Sequence, residues 1–119
     1  MRRGHRELAA GQKAIALAGA TYRLTSGFPR DEEHGLTSQM RRVATSVPAN
    51  IAEGAARGGT RELIRFLDMA SGSLSEPDTH LEVARTPAIV TDTREVEERI
   101  DRVSALMPAL VKSLKARAR

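Results

Sequence analysis

A chain of 119 residues carries enough apolar material for one core and not for two. Hydrophobic residues make up 40% of it and aromatics only 3%, so that core is aliphatic, built from Leu, Val, Ile, Met and much Ala. The absence of cysteine excludes disulfides, thiolate metal sites and a thiol nucleophile, and a net charge of +4 gives only a mild preference for an acidic partner.

The strong helix formers Ala, Leu, Arg, Glu and Lys dominate, and four helical segments follow in order. The first is predicted over about 6–26, with Leu8, Ile15, Ala18, Tyr22 and Thr25 close to one heptad stripe. Gly27-Phe28-Pro29 ends it, because Pro29 disfavours a helical Phe28. The second, about 32–57, opens on the carboxylates of Asp31 to Glu33, which suit a helix N-terminus. It runs through Leu36, Met40, Val43, Val47 and Ile51 to the Gly58-Gly59 pair.

The third, about 60–86, takes Thr60 as its N-cap and buries Leu63, Leu67, Ala70, Leu74, Leu81 and Ala84. Pro48 in the second segment and Pro77 in the third each delete an intrahelical hydrogen bond, which predicts kinks, or a break at Glu76. Pro87 marks the end of the third. The fourth, about 92–117, opens with Asp92 and Glu95 spaced as in a capping box, with Asp92 in the cap position. Its stripe of Val96, Ile100, Val103, Met107, Leu110 and Leu114 is the cleanest in the chain. Short connections make an all-α, up-down-up-down antiparallel four-helix bundle the expected architecture, one domain over 1–119.

No stretch is long and apolar enough to span a membrane. The run from Ala14 to Ala20 is short and follows Glu7, Gln12 and Lys13, so it does not read as a signal peptide behind Met1-Arg2-Arg3. A cytoplasmic setting is the expectation.

Catalytic patterns are missing. Neither His34 nor His80 has the preceding Glu of a bundle di-metal site, and His5 stands near the terminus. The stretch Gly54 to Thr60 has two glycines at phosphate-loop separation, but Thr60 stands where lysine is required and a helix precedes it. No serine lies in a Gly-x-Ser-x-Gly elbow or a Ser-x-x-Lys pair. No enzyme, metal or cofactor is expected.

The polar residues that stand out are Asn50, counted into the apolar stripe, Glu53 one turn on and Arg57 another four further, an orientation that favours a Glu–Arg pair. They form either a satisfied polar cluster that fixes helix register or a ligand-contacting group. Antiparallel topology would also sort charge by end. Arg2, Arg3, Arg6, Arg57, Arg61, Arg65, Lys112, Lys115, Arg117 and Arg119 fall at one end. Asp31, Glu32, Glu33, Asp92, Glu95, Glu97 and Glu98 fall at the other, with few bases. Helix dipoles account for the acids and for the bases ending the last helix, but Arg2, Arg3, Arg6 and Arg61 oppose them. The basic end is either a solvated, solubilising tail or a contact for the phosphate backbone of RNA or DNA.

Tyr22-Arg23-Leu24-Thr25, Phe28-Pro29, Gly35 to Arg42 and Ser46 to Gly54 (Ser-Val-Pro-Ala-Asn-Ile-Ala-Glu-Gly) then take on a further meaning. With Arg57, Phe66-Leu67, Ala70, Gly72-Ser73-Leu74 and Glu76, this run resembles the four-helix bundle proteins named after intervening sequences in bacterial 23S ribosomal RNA genes. That family includes the accessory variability determinant of diversity-generating retroelements. The resemblance covers roughly Tyr22 to Ala84; the last helix fits by pattern only. It implies a ring-like homopentamer without enzymatic activity and, for the retroelement branch, a basic surface that binds nucleic acid and a reverse-transcriptase partner. Arg42, Asn50, Glu53, Gly54 and Arg57 carry over as family-defining, structural positions. Pro77 departs from the family pattern, where an apolar residue is usual. The reading is a non-enzymatic homo-oligomeric adaptor that binds nucleic acid through its basic end; the alternative is a protein-binding assembly module.

Overall fold

Alanine sets the packing of the first helix. The computed structural model describes residues 5–117, the side chains of His5, Arg6 and Leu8 excepted. Helix α1 (His5–Thr25) buries Ala10, Ala14, Leu17 and Ala20 together with Thr21 and Thr25. The two threonine hydroxyls donate to the carbonyls of Leu17 and Thr21, at 2.9 and 2.8 Å, so neither is buried without a partner.

Of the stripe expected here, Thr25 is buried, Ala18 is half-buried, and Ile15 and Tyr22 are 63% and 44% exposed. The expectation followed the large side chains. The helix instead turns its small ones inward, because alanine lets two neighbouring backbones approach closely.

The chain leaves α1 through Gly27 and Phe28, whose N–H groups donate to the carbonyls of Leu24 and Thr25. A 3-10 turn, Arg30–Glu32, follows Pro29. Helix α2 (Leu36–Ala56) starts after Gly35, so Asp31 to Glu33 stand outside its first turn. One of them still serves it: Glu32 Oε1 accepts the Leu36 N–H at 3.4 Å. The buried face of α2 is Leu36, Met40, Ala44, Val47, Ile51 and Ala55, with Val43 only half-buried. The stripe drifts off a strict heptad because 3.6 residues per turn do not divide seven. Pro48 sits inside the continuous helix without ending it.

Gly58, at φ 84°, turns the chain in the left-handed conformation that glycine tolerates. Helix α3 (Thr60–Ser73) then begins, with Gly59 in the cap position, so Thr60 is its first residue and not its cap. The helix stops at Leu74, and α4 (Glu76–Arg85) restarts with Pro77 in its first turn, where a missing N–H costs no hydrogen bond. The break expected at Glu76 thus falls just before it. All six residues expected on the third stripe are buried, as are the six of α5 (Arg94–Arg117), which also contains Pro108.

Thr93 directly precedes α5. It is buried, its hydroxyl donates to Glu97 Oε2 at 3.0 Å, and it accepts from Arg85 at 2.8 Å. Asp92, expected as the cap, lies one residue further out and accepts the Arg94 N–H at 3.2 Å. A capping box on Asp92 and Glu95 is therefore not formed. Glu95 pairs with Arg23 instead.

Long-range pairs fix the arrangement. Arg23 meets Glu95 at 3.2 Å and Arg117 meets Glu7 at 3.4 Å, which places α5 antiparallel to α1. Arg41 Nε donates to Thr25 Oγ1 at 2.8 Å, which ties the second turn of α2 to the last turn of α1. Helix α2 lies between α1 and α3, α4 packs on α2, and α5 closes the bundle against α1 and α3. Among the described residues no helix is long and apolar enough to cross a membrane.

Candidate functional site

The α2–α3 turn is held by the absence of a side chain. A Cβ on Gly54 would stand 2.8 Å from Phe66 Cβ, 3.1 Å from Leu63 Cδ1 and 3.3 Å from Leu63 Cα. The buried glycine therefore lets α3 fold back tightly on α2, and this brings Arg57, Arg61 and Arg65 to one end of the bundle beside the last turns of α5. The long axis of the molecule is 50 Å, several Debye lengths of about 8 Å, so the two ends act as separate electrostatic surfaces at physiological salt.

Two guanidinium groups lie over the Phe66 ring, Arg57 at 5.2 Å and Arg65 at 4.7 Å from its centroid. Each such contact contributes about 0.5–1 kcal/mol at an exposed site. Both arginines also hold acids: Arg57 Nε donates to Glu53 Oε2 at 3.1 Å, and Arg65 bonds both oxygens of Glu62 at 3.3 and 3.2 Å. The Arg65 hydrogen bond, helped by the charges of Arg65 and Arg57, holds the Glu62 carboxyl below its ordinary value. Arg117 pairs with the buried Glu7.

Three of the expected cations have no acid within 4.0 Å among the described residues: Arg61, Lys112 and Lys115, all exposed. Lys112 and Lys115 border a groove of about 640 Å³ between α3 and α5, whose floor includes Pro108 and Val111 and whose far wall is Asp68 and Ser71. Arg2, Arg3 and Arg119 lie outside the described residues, as does the side chain of Arg6.

The five motif residues do not form one cluster. Glu53 and Arg57 make the ion pair that their spacing indicates, and Gly54 makes the helix contact. Asn50 is half-buried, and its Nδ2 donates to the Ser46 carbonyl of its own helix at 2.8 Å. It sits beside the apolar stripe, not in it, and makes no bond to another helix among the described residues. Arg42 is exposed, about 12 Å along the helix from Asn50.

The opposite end holds more base than the sequence suggests, and three of its arginines are paired with acids. Arg23 pairs with Glu95, Arg85 with Glu82 and Glu97, and Arg94 with Asp92. The two Arg94–Asp92 side-chain bonds are both 3.0 Å, and with the Arg94 backbone N–H they lower the Asp92 carboxyl from 3.8 to about 2. The folded-state value is depressed, so the pair contributes above the unfolded value and is lost as pH falls through about 2. A carboxyl-detected NMR titration should find the Asp92 midpoint near about 2, and Arg94→Gln should return it towards 3.8. A normal midpoint in the unsubstituted protein would mean the pair does not form in solution.

Sequence reasoning missed the Arg41–Tyr22–Thr25 contact and the Arg85–Thr93–Glu97 cluster. The Thr93 and Glu97 spacing, one helical turn, was a usable signal for the second; the first joins residues with no local pattern between them. Among the described residues there is no group of three or more His, Asp or Glu that could hold a metal.

The sequence model for the 23S rRNA-intervening sequence protein family matches residues 6–109. No curated protein matches the sequence. Among solved structures, the chain is similar to a protein with unknown function from the S23 ribosomal protein family of Bacteroides thetaiotaomicron VPI-5482. The TM-score is 0.76 at 19% identity, over 90% of this chain and 98% of that one, and this likeness speaks to the fold.

Proposed function

The chain belongs to the 23S rRNA-intervening sequence protein family, and on that premise we propose that it is a non-enzymatic, homo-oligomeric adaptor whose basic end binds the phosphate backbone of RNA or DNA. One observation carries the reading. Arg61, Lys112 and Lys115 stand together at the basic end with no acid within 4.0 Å among the described residues. Unpaired cations gathered on one surface keep their charge for a partner, and releasing counterions from nucleic acid is what such charge does best. Contacts of this kind position a backbone and do not read sequence. A homopentamer would repeat the surface around a ring, and a reverse transcriptase is the protein partner the family resemblance suggests.

The test is the variant Arg61→Gln/Lys112→Gln/Lys115→Gln, compared with the unsubstituted protein for affinity to single-stranded and duplex RNA and DNA. Losing three phosphate contacts should weaken all of them together, about tenfold or more at moderate salt. Unchanged affinity would remove the basic end from the account.

A second reading draws on the α3–α5 groove, whose Pro108 and Val111 floor and lysine rim suit an acidic amphipathic helix. The protein would then be a protein–protein assembly module. A specific protein partner bound with no polyanion affinity would favour it.

A further inference from the structure

A second cationic surface lies away from the basic end, along the junction of α1 and α2. Two adjoining hollows of about 460 and 260 Å³ share Thr37, Glu33 and Arg41 and so form one groove. Three arginines line it: Arg30, Arg41 and Arg42. None has an acid within 4.0 Å among the described residues.

Arg41 is also held in place. Its Nε donates to Thr25 Oγ1 at 2.8 Å, and its guanidinium lies 4.5 Å from the centroid of the Tyr22 ring. A guanidinium oriented by a hydroxyl and a ring keeps its full positive charge, which one oriented by a carboxylate does not. The hydroxyls of Thr25, Ser26 and Thr45 already donate to backbone carbonyls, so the hydroxyls of Tyr22, Thr37 and Ser38 and the three arginines supply the groove's open donors. Glu33 is the one carboxylate on its walls, and it stands at the exposed rim 4.0 Å from His34 Nε2.

Tyr22 gives the groove a feature that a plain anion site would lack. Although Arg41 lies over it, the residue is 44% exposed. Flexible single strands are bound by this combination: cations that follow the phosphates, and an exposed aromatic ring on which a splayed base stacks. A duplex keeps its bases paired and stacked, out of reach of such a ring.

We propose that the α1–α2 groove binds single-stranded nucleic acid, with Arg30, Arg41 and Arg42 on consecutive phosphates and Tyr22 stacked on a base. The proposal rests on the nucleic-acid reading above but assigns a different surface and a strand preference.

Tyr22 is the only tyrosine in the chain, so tyrosine-selective isotope labelling gives one ring signal that reports on this position alone. Titration with a short oligouridine should shift that signal, and the matching oligouridine–oligoadenine duplex should leave it in place. Tyr22→Leu should weaken oligouridine binding about tenfold, Tyr22→Phe should restore most of it, and Arg42→Gln should flatten the salt slope by roughly 0.7. Both residues are exposed, so circular dichroism should stay unchanged.

If oligouridine binds while the ring signal stays fixed and these variants bind normally, the groove proposal falls and the basic-end reading stands. If the groove variants lose binding while Arg61→Gln/Lys112→Gln/Lys115→Gln keeps it, the groove stands and the basic end falls. No binding of any oligonucleotide removes both. A change in assembly mass by light scattering, with oligouridine affinity intact, would make the groove a contact between copies and overturn the proposal.

Discussion

Gly54→Ala is expected to destabilise the protein by about 1–2 kcal/mol, although alanine is the better helix former. Two effects compete. Gly54 lies in the last turn of α2, where replacing glycine by alanine is worth at most the helix-interior value of about 0.8–1 kcal/mol in propensity. Against this, the new methyl would sit 2.8 Å from Phe66 Cβ and 3.3 Å from Leu63 Cα, where carbon atoms prefer about 3.5–4.0 Å. Neither atom is the end of a flexible side chain, so α3 has to move away from α2 as a body. Overpacking of this kind costs about 1–3 kcal/mol, which outweighs the propensity gain. Gly11→Ala is the control: nothing lies within 4 Å of the added methyl, so only the propensity term acts and the variant should be more stable. Urea denaturation of both should show midpoints displaced in opposite directions. A Gly54→Ala protein at least as stable as its parent would refute the close helix contact.

Leu17→Ala is expected to cost more, about 2–5 kcal/mol. Among the described side chains of α1, Leu17 is the one large residue that is fully buried, amid Ala10, Ala14 and Ala20. A buried leucine contributes about 1.5–3 kcal/mol relative to exposure, whereas a single carbon such as an alanine methyl contributes only about 0.8. Much of the attachment of α1 to the core thus passes through this residue. The cavity left by truncation has only small, rigid neighbours on α1 to collapse into it. Ile15→Ala tests the alternative register. Ile15 is 63% exposed, so its truncation should change stability by less than about 0.5 kcal/mol if the monomer fold alone is measured. Reversed magnitudes would restore the heptad register and contradict the structure.

The same pair of residues shows where the sequence was readable. Helix α5 was legible because its inward positions are large and apolar and its outward ones are polar or small, Pro108 apart, so one pattern fits. The third stripe was legible for the same reason, and Pro77 announced the interruption of its rod. Helix α1 was not, because alanine tolerates either environment while Ile15 and Tyr22 attract the eye to the wrong face. Asn50 was misplaced by a smaller error: a strict heptad carried from Leu36 over two repeats, nearly four turns, rotates the stripe far enough to move it from the side of the seam into it.

For the candidate site, local spacing revealed the Glu53–Arg57 pair and the sorting of cations by end. What it could not reveal was neutralisation. Arg23 and Glu95 are 72 residues apart, as Glu7 and Arg117 are 110 apart, and only the fold brings them together. Whether a surface charge is free or spent on a neighbour is a tertiary property, and the distinction carries the functional reading. It separates Arg61, Lys112 and Lys115 from their paired neighbours, and it draws attention to Arg41 and Arg42, whose setting has no sequence signature.

The central claim is that unpaired cations on this bundle bind nucleic acid by releasing its counterions. The most direct measurement is the salt dependence of single-stranded RNA affinity for the unsubstituted protein. Three phosphate contacts at the basic end predict a slope of log affinity against log salt near about −2, hence a loss of roughly 20-fold between 50 and 200 mM. Further contacts steepen it. An affinity that stays flat across that range, or no measurable affinity at its low end, would contradict the account.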